Sequence, residues 1–132
     1  MATVFTKIIN GEIPSYKIAE DEYYFSFLDI NPISEGHTLV IPKKEVDYVF
    51  DLDDQTLSGL MQFAKPIAHA IDRALGCMRT GIIVEGLEVP HAHIHLVPIY
   101  RTGQKVALGN NINVSEKRME ELAEKIRDEV KL

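Results

Sequence analysis

We expect this chain to fold as a single α+β domain. Five short segments of alternating or continuously apolar residues, bounded by turn residues, are typical of strands. A long segment carries apolar residues at spacings of three and four, as the buried face of a helix does, and a similar pattern closes the chain. A length of 132 residues with 45% hydrophobic and 26% charged residues suits one domain with one core.

The strand predictions rest on periodicity and on turn residues. The five predicted strands cover residues 16–19, 23–28, 38–41, 80–84 and 91 or 92–99. In the second strand, Tyr23, Phe25 and Phe27 alternate with their neighbours, a period of two that is rich in aromatic residues. The first two strands are close enough to form a hairpin, and the short loop 85–88 favours antiparallel pairing of the last two.

Two helices and one long loop complete the predicted order. Residues 5–9 allow one helical turn at most, whereas the apolar pattern over 55–75 predicts a long helix that Gly76 ends. Glycine and asparagine with little periodicity make 101–114 a loop. Ser115 can cap a last helix, which has its own apolar stripe.

Charge and composition exclude several classes of function. A net charge of -6 disfavours a groove that binds nucleic acid by neutralising phosphates. The lone cysteine, Cys77, cannot form an internal disulfide, which favours a reducing compartment. No segment approaches the ~20 apolar residues of a membrane span. We therefore expect a soluble, cytoplasmic protein with neither nucleic acid nor membrane as a partner.

The most informative feature is a row of histidines in the run His91-Ala92-His93-Ile94-His95-Leu96. Side chains of an extended strand point to alternate faces, so the three imidazoles should project from one side and the apolar residues from the other. Burying such rings without partners costs roughly 1–3 kcal/mol per unsatisfied group, so an idle row is costly. The pattern therefore favours a catalytic or metal-binding role for these histidines over a purely structural one.

Spacing alone leaves two kinds of chemistry open. Two or three histidines on a strand can hold zinc, with water at an open position. Alternatively, one ring can attack an electrophile while its neighbours orient it and donate protons. No acidic or cysteine ligand is spaced to complete a metal site, so we expect no metal and no cofactor.

Four blocks of the sequence, in the same order, resemble the histidine triad (HIT) superfamily. Besides the histidine row, which continues through Val97, they are Phe5-Thr6-Lys7-Ile8-Ile9-Asn10-Gly11-Glu12-Ile13-Pro14, Phe27-Leu28-Asp29-Ile30-Asn31-Pro32 and Gly36-His37-Thr38-Leu39-Val40-Ile41-Pro42-Lys43-Lys44. The resemblance covers roughly residues 4–99 of the single domain 1–132, leaving a C-terminal loop and helix over 100–132. It implies a nucleotide-binding α+β fold with a five-stranded antiparallel sheet, and a homodimer with the long helix at the interface.

The resemblance also implies an activity and a set of site residues. Members of the branch most similar to this chain hydrolyse nucleoside phosphoramidates or cleave dinucleoside polyphosphates or related adenylates, with a purine nucleotide as substrate. His93 matches the nucleophile, and His91 and His95 match positions that orient it and contact the phosphate or leaving group. His37 matches a fourth histidine of the site, and Asp29 a carboxylate that binds ribose hydroxyls. Five apolar residues match positions that line the base and ribose pocket in the family: Phe5, Ile8, Ile13, Phe27 and Ile30.

The loop ahead of the histidine row departs from the family pattern. Residues 84–90 are shorter than in many relatives and lack an asparagine and a Gly-Gln element that contact phosphates. Because Glu85 and Glu88 would repel a strongly anionic substrate, we expect phosphoramidates to be preferred over dinucleoside polyphosphates. Two alternatives stay open. One is a regulatory nucleotide-binding protein with weak activity, and the other is a metallohydrolase that uses His37 and the triad as metal ligands.

Overall fold

A five-stranded antiparallel sheet forms the centre of the computed structural model, which describes residues 2–132. The elements are α1 (Val4–Ile9), β1 (Lys17–Glu20), β2 (Tyr24–Leu28), β3 (Thr38–Pro42), a 3₁₀ turn (Val49–Asp51), α2 (Asp54–Leu75), β4 (Arg79–Ile83), β5 (Ile94–Ile99) and α3 (Glu116–Glu129). The strands lie in the order β1-β2-β3-β5-β4, and each neighbouring pair is antiparallel. The predicted α+β class and the single antiparallel sheet are confirmed.

The sheet is covered on both faces, and the two faces differ in size. Helices α2 and α3 pack on one face and form the larger core with side chains such as Val40 and Ile94. The other face holds a smaller cluster in which Phe5 of α1 meets Phe25, Phe27 and neighbouring strand residues. Since successive strand residues alternate between faces, Leu39 of β3 belongs to this smaller cluster.

The helix ends follow the predicted capping chemistry. Asp53 precedes α2 and accepts a hydrogen bond from the backbone N–H of Thr56. Gly76 ends α2 in the left-handed conformation, with φ of 63°, which a residue with a side chain rarely adopts. Ser115 caps α3 by accepting from the N–H of Arg118. Within residues 2–132, neither long helix has the length and apolarity to cross a membrane.

Two predicted boundaries near the site were wrong. β5 begins at Ile94, and β4 and β5 are joined by residues 84–93 rather than by a four-residue loop. The reason is that the N–H of Ala92 donates to Val46 in the loop after β3 and not to a strand ladder. Helix α1 has six residues and not a single turn, because Thr3 caps it by accepting from the N–H of Thr6.

Candidate active site

The structure brings the three triad imidazoles together on the face of the sheet that α1 covers. All three rings are buried. His95 pairs with Leu39 of β3, and its ring centroid lies 5.0 Å from that of His93. The ring of Phe5 packs edge-on against His93 and His91, at 5.1 and 5.7 Å between centroids. The common side predicted from the spacing is thus observed, although only His95 belongs to β5.

A backbone hydrogen bond fixes the tautomer of the central ring. The Nδ1 of His93 lies 2.7 Å from the carbonyl oxygen of His91, which can only accept a hydrogen bond. Nδ1 therefore carries the proton. A neutral His93 ring then has its lone pair on Nε2, which is the form that a nucleophilic imidazole requires.

A second chain of hydrogen bonds orients His95 through His37. The N–H of Ile33 donates to His37 Nδ1 at 3.1 Å, so the His37 proton is on Nε2. His37 Nε2 donates in turn to His95 Nδ1 at 2.9 Å, which leaves the His95 proton on Nε2. This N–H is buried and has no partner within residues 2–132. It is therefore available to a ligand beside His93.

Burial keeps the His95 ring neutral. Removal from water, with additional effects of His37 and His93, lowers the pKa of His95 to about 3. Burial also lowers the pKa of His37, and the nearby Asp29 carboxylate partly opposes that shift. Held in place by His37, the uncharged His95 ring can thus donate a hydrogen bond to an anionic group without transferring a proton to it.

Asp29 lies against the same histidine pair. Its Oδ2 is 3.5 Å from His37 Nε2 and 3.8 Å from His95 Nδ1, while its Oδ1 accepts from the N–H of Asn31 at 2.8 Å. These three groups are spaced much as the ligands of a tetrahedral zinc ion, which stand about 3.3 Å apart. However, His37 Nε2 must be deprotonated to bind a metal, and the Ile33 N–H holds the proton on that nitrogen. The tautomer does not fit a metal ligand.

His91 uses both ring nitrogens within the protein. Nε2 donates to the carbonyl oxygen of Pro42 at 2.8 Å, and Nδ1 lies 2.8 Å from the hydroxyl of Thr3. Burial lowers the pKa of His91, so the neutral form is favoured. The predicted contact of His91 with a phosphate or leaving group has no free nitrogen to support it. The ring is placed to support His93.

A cavity of about 310 Å³ opens beside His37 and Asp29. Glu85 and Glu88 from the loop ahead of the triad line it, as the sequence argument expected of this loop. Other lining residues come from the turn after β2 and from the C-terminal loop: Asn31, Ile33, Leu108, Gly109 and Asn111. Three carboxylates therefore line a cavity to which His37 is the histidine that contributes.

Comparison with known proteins assigns the family. A family model described as the HIT domain matches residues 10–102. The chain belongs to the HIT family. An uncharacterized HIT-like protein of Borreliella burgdorferi is 37% identical over 131 residues, covering 93% of this chain and 94% of that protein.

Two further HIT proteins bear on function and fold. Adenosine 5'-monophosphoramidase HNT1 of Saccharomyces cerevisiae is 42% identical over 99 residues, covering 74% of this chain and 62% of the yeast protein. The crystal structure of a HIT-like protein from Bartonella henselae, described as involved in cell-cycle regulation, superposes with a TM-score of 0.83 at 34% identity. That match covers 96% of this chain and 94% of the other. Some relatives are thus named as phosphoramidases, and others have no assigned activity.

The apolar residues matched to the family's base and ribose pocket are spread over several environments. Phe5 and Phe27 are buried and contact each other, with ring centroids 5.5 Å apart. Ile8 packs against their cluster, Ile13 is half-buried, and Ile30 is 73% exposed. None of the five lines the cavity beside His37. In this HIT protein Phe5 packs directly against His91 and His93, Phe27 packs against Phe5, and Ile30 is a surface residue.

Sequence reasoning missed the contribution of the C-terminal loop to the cavity. Gly109 and Asn111 were recognised only as loop residues, yet they line the site. The N–H of Ile112 donates to the carbonyl oxygen of Pro32 at 2.8 Å, which holds this loop against the turn after β2. A contact between segments so far apart along the chain has no local signal in the sequence.

Proposed function

We propose that this protein hydrolyses a purine nucleoside phosphoramidate or a related nucleotidyl substrate through a covalent intermediate on His93. The observation that carries the proposal is that hydrogen bonds fix the tautomers of two adjacent rings, those of His93 and His95. Neutral His93 has its lone pair on Nε2, and 5.0 Å away between ring centroids His95 holds an N–H on Nε2 that has no partner among residues 2–132. A nucleophile and an anion donor therefore lie side by side.

The chemistry takes two displacements at the α-phosphorus. His93 Nε2 forms a bond to phosphorus while the bond to the leaving nitrogen breaks, and the departing amine keeps the bonding pair and takes a proton from water. Water then attacks phosphorus, loses a proton, and the bond to His93 breaks to release the nucleotide. In both steps the N–H of His95 donates to a phosphoryl oxygen, which stabilises the charge that develops there.

The substrate class is supported by the relatives and by the charge of the cavity. Yeast HNT1, which is named an adenosine 5'-monophosphoramidase, makes an adenosine phosphoramidate the first substrate to test. Asp29, Glu85 and Glu88 line the cavity, and their charges would repel the second nucleotide of a dinucleoside polyphosphate. An uncharged or cationic amine as leaving group avoids that repulsion.

Replacement of His93 by alanine tests the function directly. The variant should lose measurable turnover of adenosine 5'-phosphoramidate while binding AMP as the wild type does in calorimetry. Comparison of wild-type kcat/KM values should also favour the phosphoramidate over a dinucleoside triphosphate. Turnover that survives in His93→Ala would reject the covalent mechanism, and faster cleavage of the triphosphate would reject the substrate preference.

The same proposal includes a homodimer, for which the sheet offers an edge. β4 is an outer strand, so one side of its backbone has no strand partner within residues 2–132. Three apolar side chains on or beside it are substantially exposed, namely Met78, Ile82 and Val84. An unpaired edge with apolar side chains is suited to pairing with a second copy of the chain. This edge supports a homodimer in addition to the expected role of α2.

A further inference from the structure

A network of hydrogen bonds joins the exposed Glu45 to the buried ring of His91. Glu45 lies in the loop after β3, and its Oε1 accepts from the N–H of Thr3 at 2.7 Å and from the hydroxyl of Thr6. The Thr3 hydroxyl lies 2.8 Å from His91 Nδ1 and 3.2 Å from the Thr6 hydroxyl. A surface carboxylate thus reaches a fully buried triad ring through Thr3, whose N–H donates to Glu45 and whose hydroxyl lies against His91, while the Thr6 hydroxyl holds the same carboxylate oxygen.

The partners at each end fix the direction of these hydrogen bonds. The carbonyl oxygen of Pro42 can only accept, so the His91 proton is on Nε2, and Thr3 must donate to Nδ1 of the neutral ring. The Glu45 carboxylate also only accepts, so the Thr6 hydroxyl donates to it. The hydrogen bonds from the Thr6 hydroxyl and from the Thr3 N–H lower the pKa of Glu45, which favours its ionised form. Both hydroxyl protons are therefore used, and the hydrogen bond between the two threonines is the one from the Thr6 N–H to the Thr3 hydroxyl oxygen, at 3.1 Å.

The loop that carries Glu45 also holds the backbone of the triad. Val46 follows Glu45, and its carbonyl oxygen accepts from the N–H of Ala92 at 2.6 Å. The carbonyl oxygen of His91 accepts from Nδ1 of His93 at 2.7 Å. Because His91 and Ala92 precede β5, no ladder hydrogen bond of that strand fixes them. Besides the bonds of His91 to the carbonyl oxygens of Pro42 and Val89, their position depends on this loop and on α1.

We propose that Glu45 is a positioning residue for the nucleophile: held by the Thr6 hydroxyl, it fixes Thr3 and through Thr3 the ring of His91, whose carbonyl oxygen fixes the His93 ring. The inference rests on the proposed function of His93. It assigns a role in the reaction to an exposed side chain outside the cavity and without contact to the nucleotide. The expected magnitude is a loss of about 10-fold in the rate of the chemical step, since small displacements of a reacting group cost factors up to about 100.

A purely structural role for Glu45, as an anchor for α1, is the interpretation to separate from this one. Glu45→Gln and Thr6→Val remove the charge and the hydroxyl with little change in size. Glu12→Gln is the matched control, because Glu12 is an exposed carboxylate beyond the same helix, with no side-chain hydrogen bond found in the described residues. The pair Thr3→Ser and Thr3→Val separates the hydroxyl from the rest of the side chain.

The measurement is the single-turnover rate of nucleotidyl-His93 formation from adenosine 5'-phosphoramidate, together with the Kd of AMP. Glu45→Gln, Thr6→Val and Thr3→Val should lower the rate about 10-fold with Kd unchanged. Thr3→Ser and Glu12→Gln should react as the wild type does. Nitrogen NMR of the imidazoles should show one His93 tautomer in the wild type and a mixture in the three slow variants.

The outcomes separate this inference from the proposed function. The inference about Glu45 is overturned if Glu45→Gln and Thr6→Val react as fast as Glu12→Gln. It is also overturned if their rates fall without any change in the His93 NMR signals. A fall in melting temperature alone, with normal rate and spectra, assigns Glu45 to anchoring only and also overturns it. If the wild type forms no adduct, the proposed function fails, and the NMR comparison still decides whether Glu45 sets the His93 tautomer.

Discussion

Acidification from pH 7 to pH 5 should destabilise the folded chain through its buried histidines. Burial lowers the pKa of His95 to about 3 from its ordinary value of 6.5, and burial also lowers the pKa of His37 and His91. Between pH 6.5 and about 3 the unfolded chain binds a proton at the His95 ring and the folded chain does not. The free energy of unfolding must therefore fall as the pH falls below about 6.5.

The magnitude for His95 alone can be worked out. One ring that titrates near 6.5 only in the unfolded chain removes about 2 kcal/mol from the free energy of unfolding between pH 7 and pH 5. His37 and His91 act in the same direction. Since a domain of this size has a stability of roughly 5–15 kcal/mol, the loss is a large share of the total.

Urea denaturation at pH 7, 6 and 5 measures this effect in the wild type and in His95→Gln. The variant should flatten the dependence by about 1.4 kcal/mol per pH unit near pH 5, because one buried titrating ring is gone. His69→Gln removes an exposed histidine of α2 and should leave the slope as in the wild type. A wild-type stability that is constant from pH 7 to pH 5, or a full slope in His95→Gln, would refute the reasoning.

Three further predictions follow from packing, charge and the sheet edge. A Cβ at Gly59 would lie 2.0 Å from the Tyr24 hydroxyl. Gly59→Ala should therefore lower the free energy of unfolding, measured by urea denaturation, by roughly 1–3 kcal/mol, and an unchanged value would contradict this close packing. Glu85→Gln with Glu88→Gln should raise kcat/KM for a dinucleoside triphosphate more than for the phosphoramidate, and an equal change would place the glutamates away from substrate. Ile82→Lys should shift the species seen by light scattering from dimer to monomer, whereas a persistent dimer would exclude this edge.

The sequence was sufficient for the elements whose signals are local. Apolar spacing and caps located α2 and α3, because Gly76 and Ser115 act within one turn of the helix that they end or start. Alternation also predicted that the three imidazoles lie together, and the rings of His91 and His93 both pack against Phe5 while that of His93 packs against His95. The start of β5 was misplaced because the Ala92 N–H bonds to a distant loop, which local patterns do not report.

The finer features of the site depend on contacts between segments that are far apart in sequence. Glu45 is 42 residues from Thr3 and 39 from Thr6, and the tautomer of His95 follows from the Ile33 N–H through His37. Resemblance to the HIT family supplied the residues of the site. The structure added that both ring nitrogens of His37 and His91 have hydrogen-bond partners, whereas Nε2 of His95 has none within residues 2–132. This assignment distinguishes the nucleophile and its neighbouring donor from the supporting rings.

Mass spectrometry of a trapped reaction tests the role of His93 most directly. Incubation with a slowly hydrolysed adenosine phosphoramidate analogue, followed by acid-free digestion, should yield one peptide that contains residues 91–95 and carries a nucleotidyl group. Fragmentation should place that group on His93, and His93→Ala should give no adduct. An adduct on His91 or His95, or turnover of the wild type without any adduct, would contradict the account.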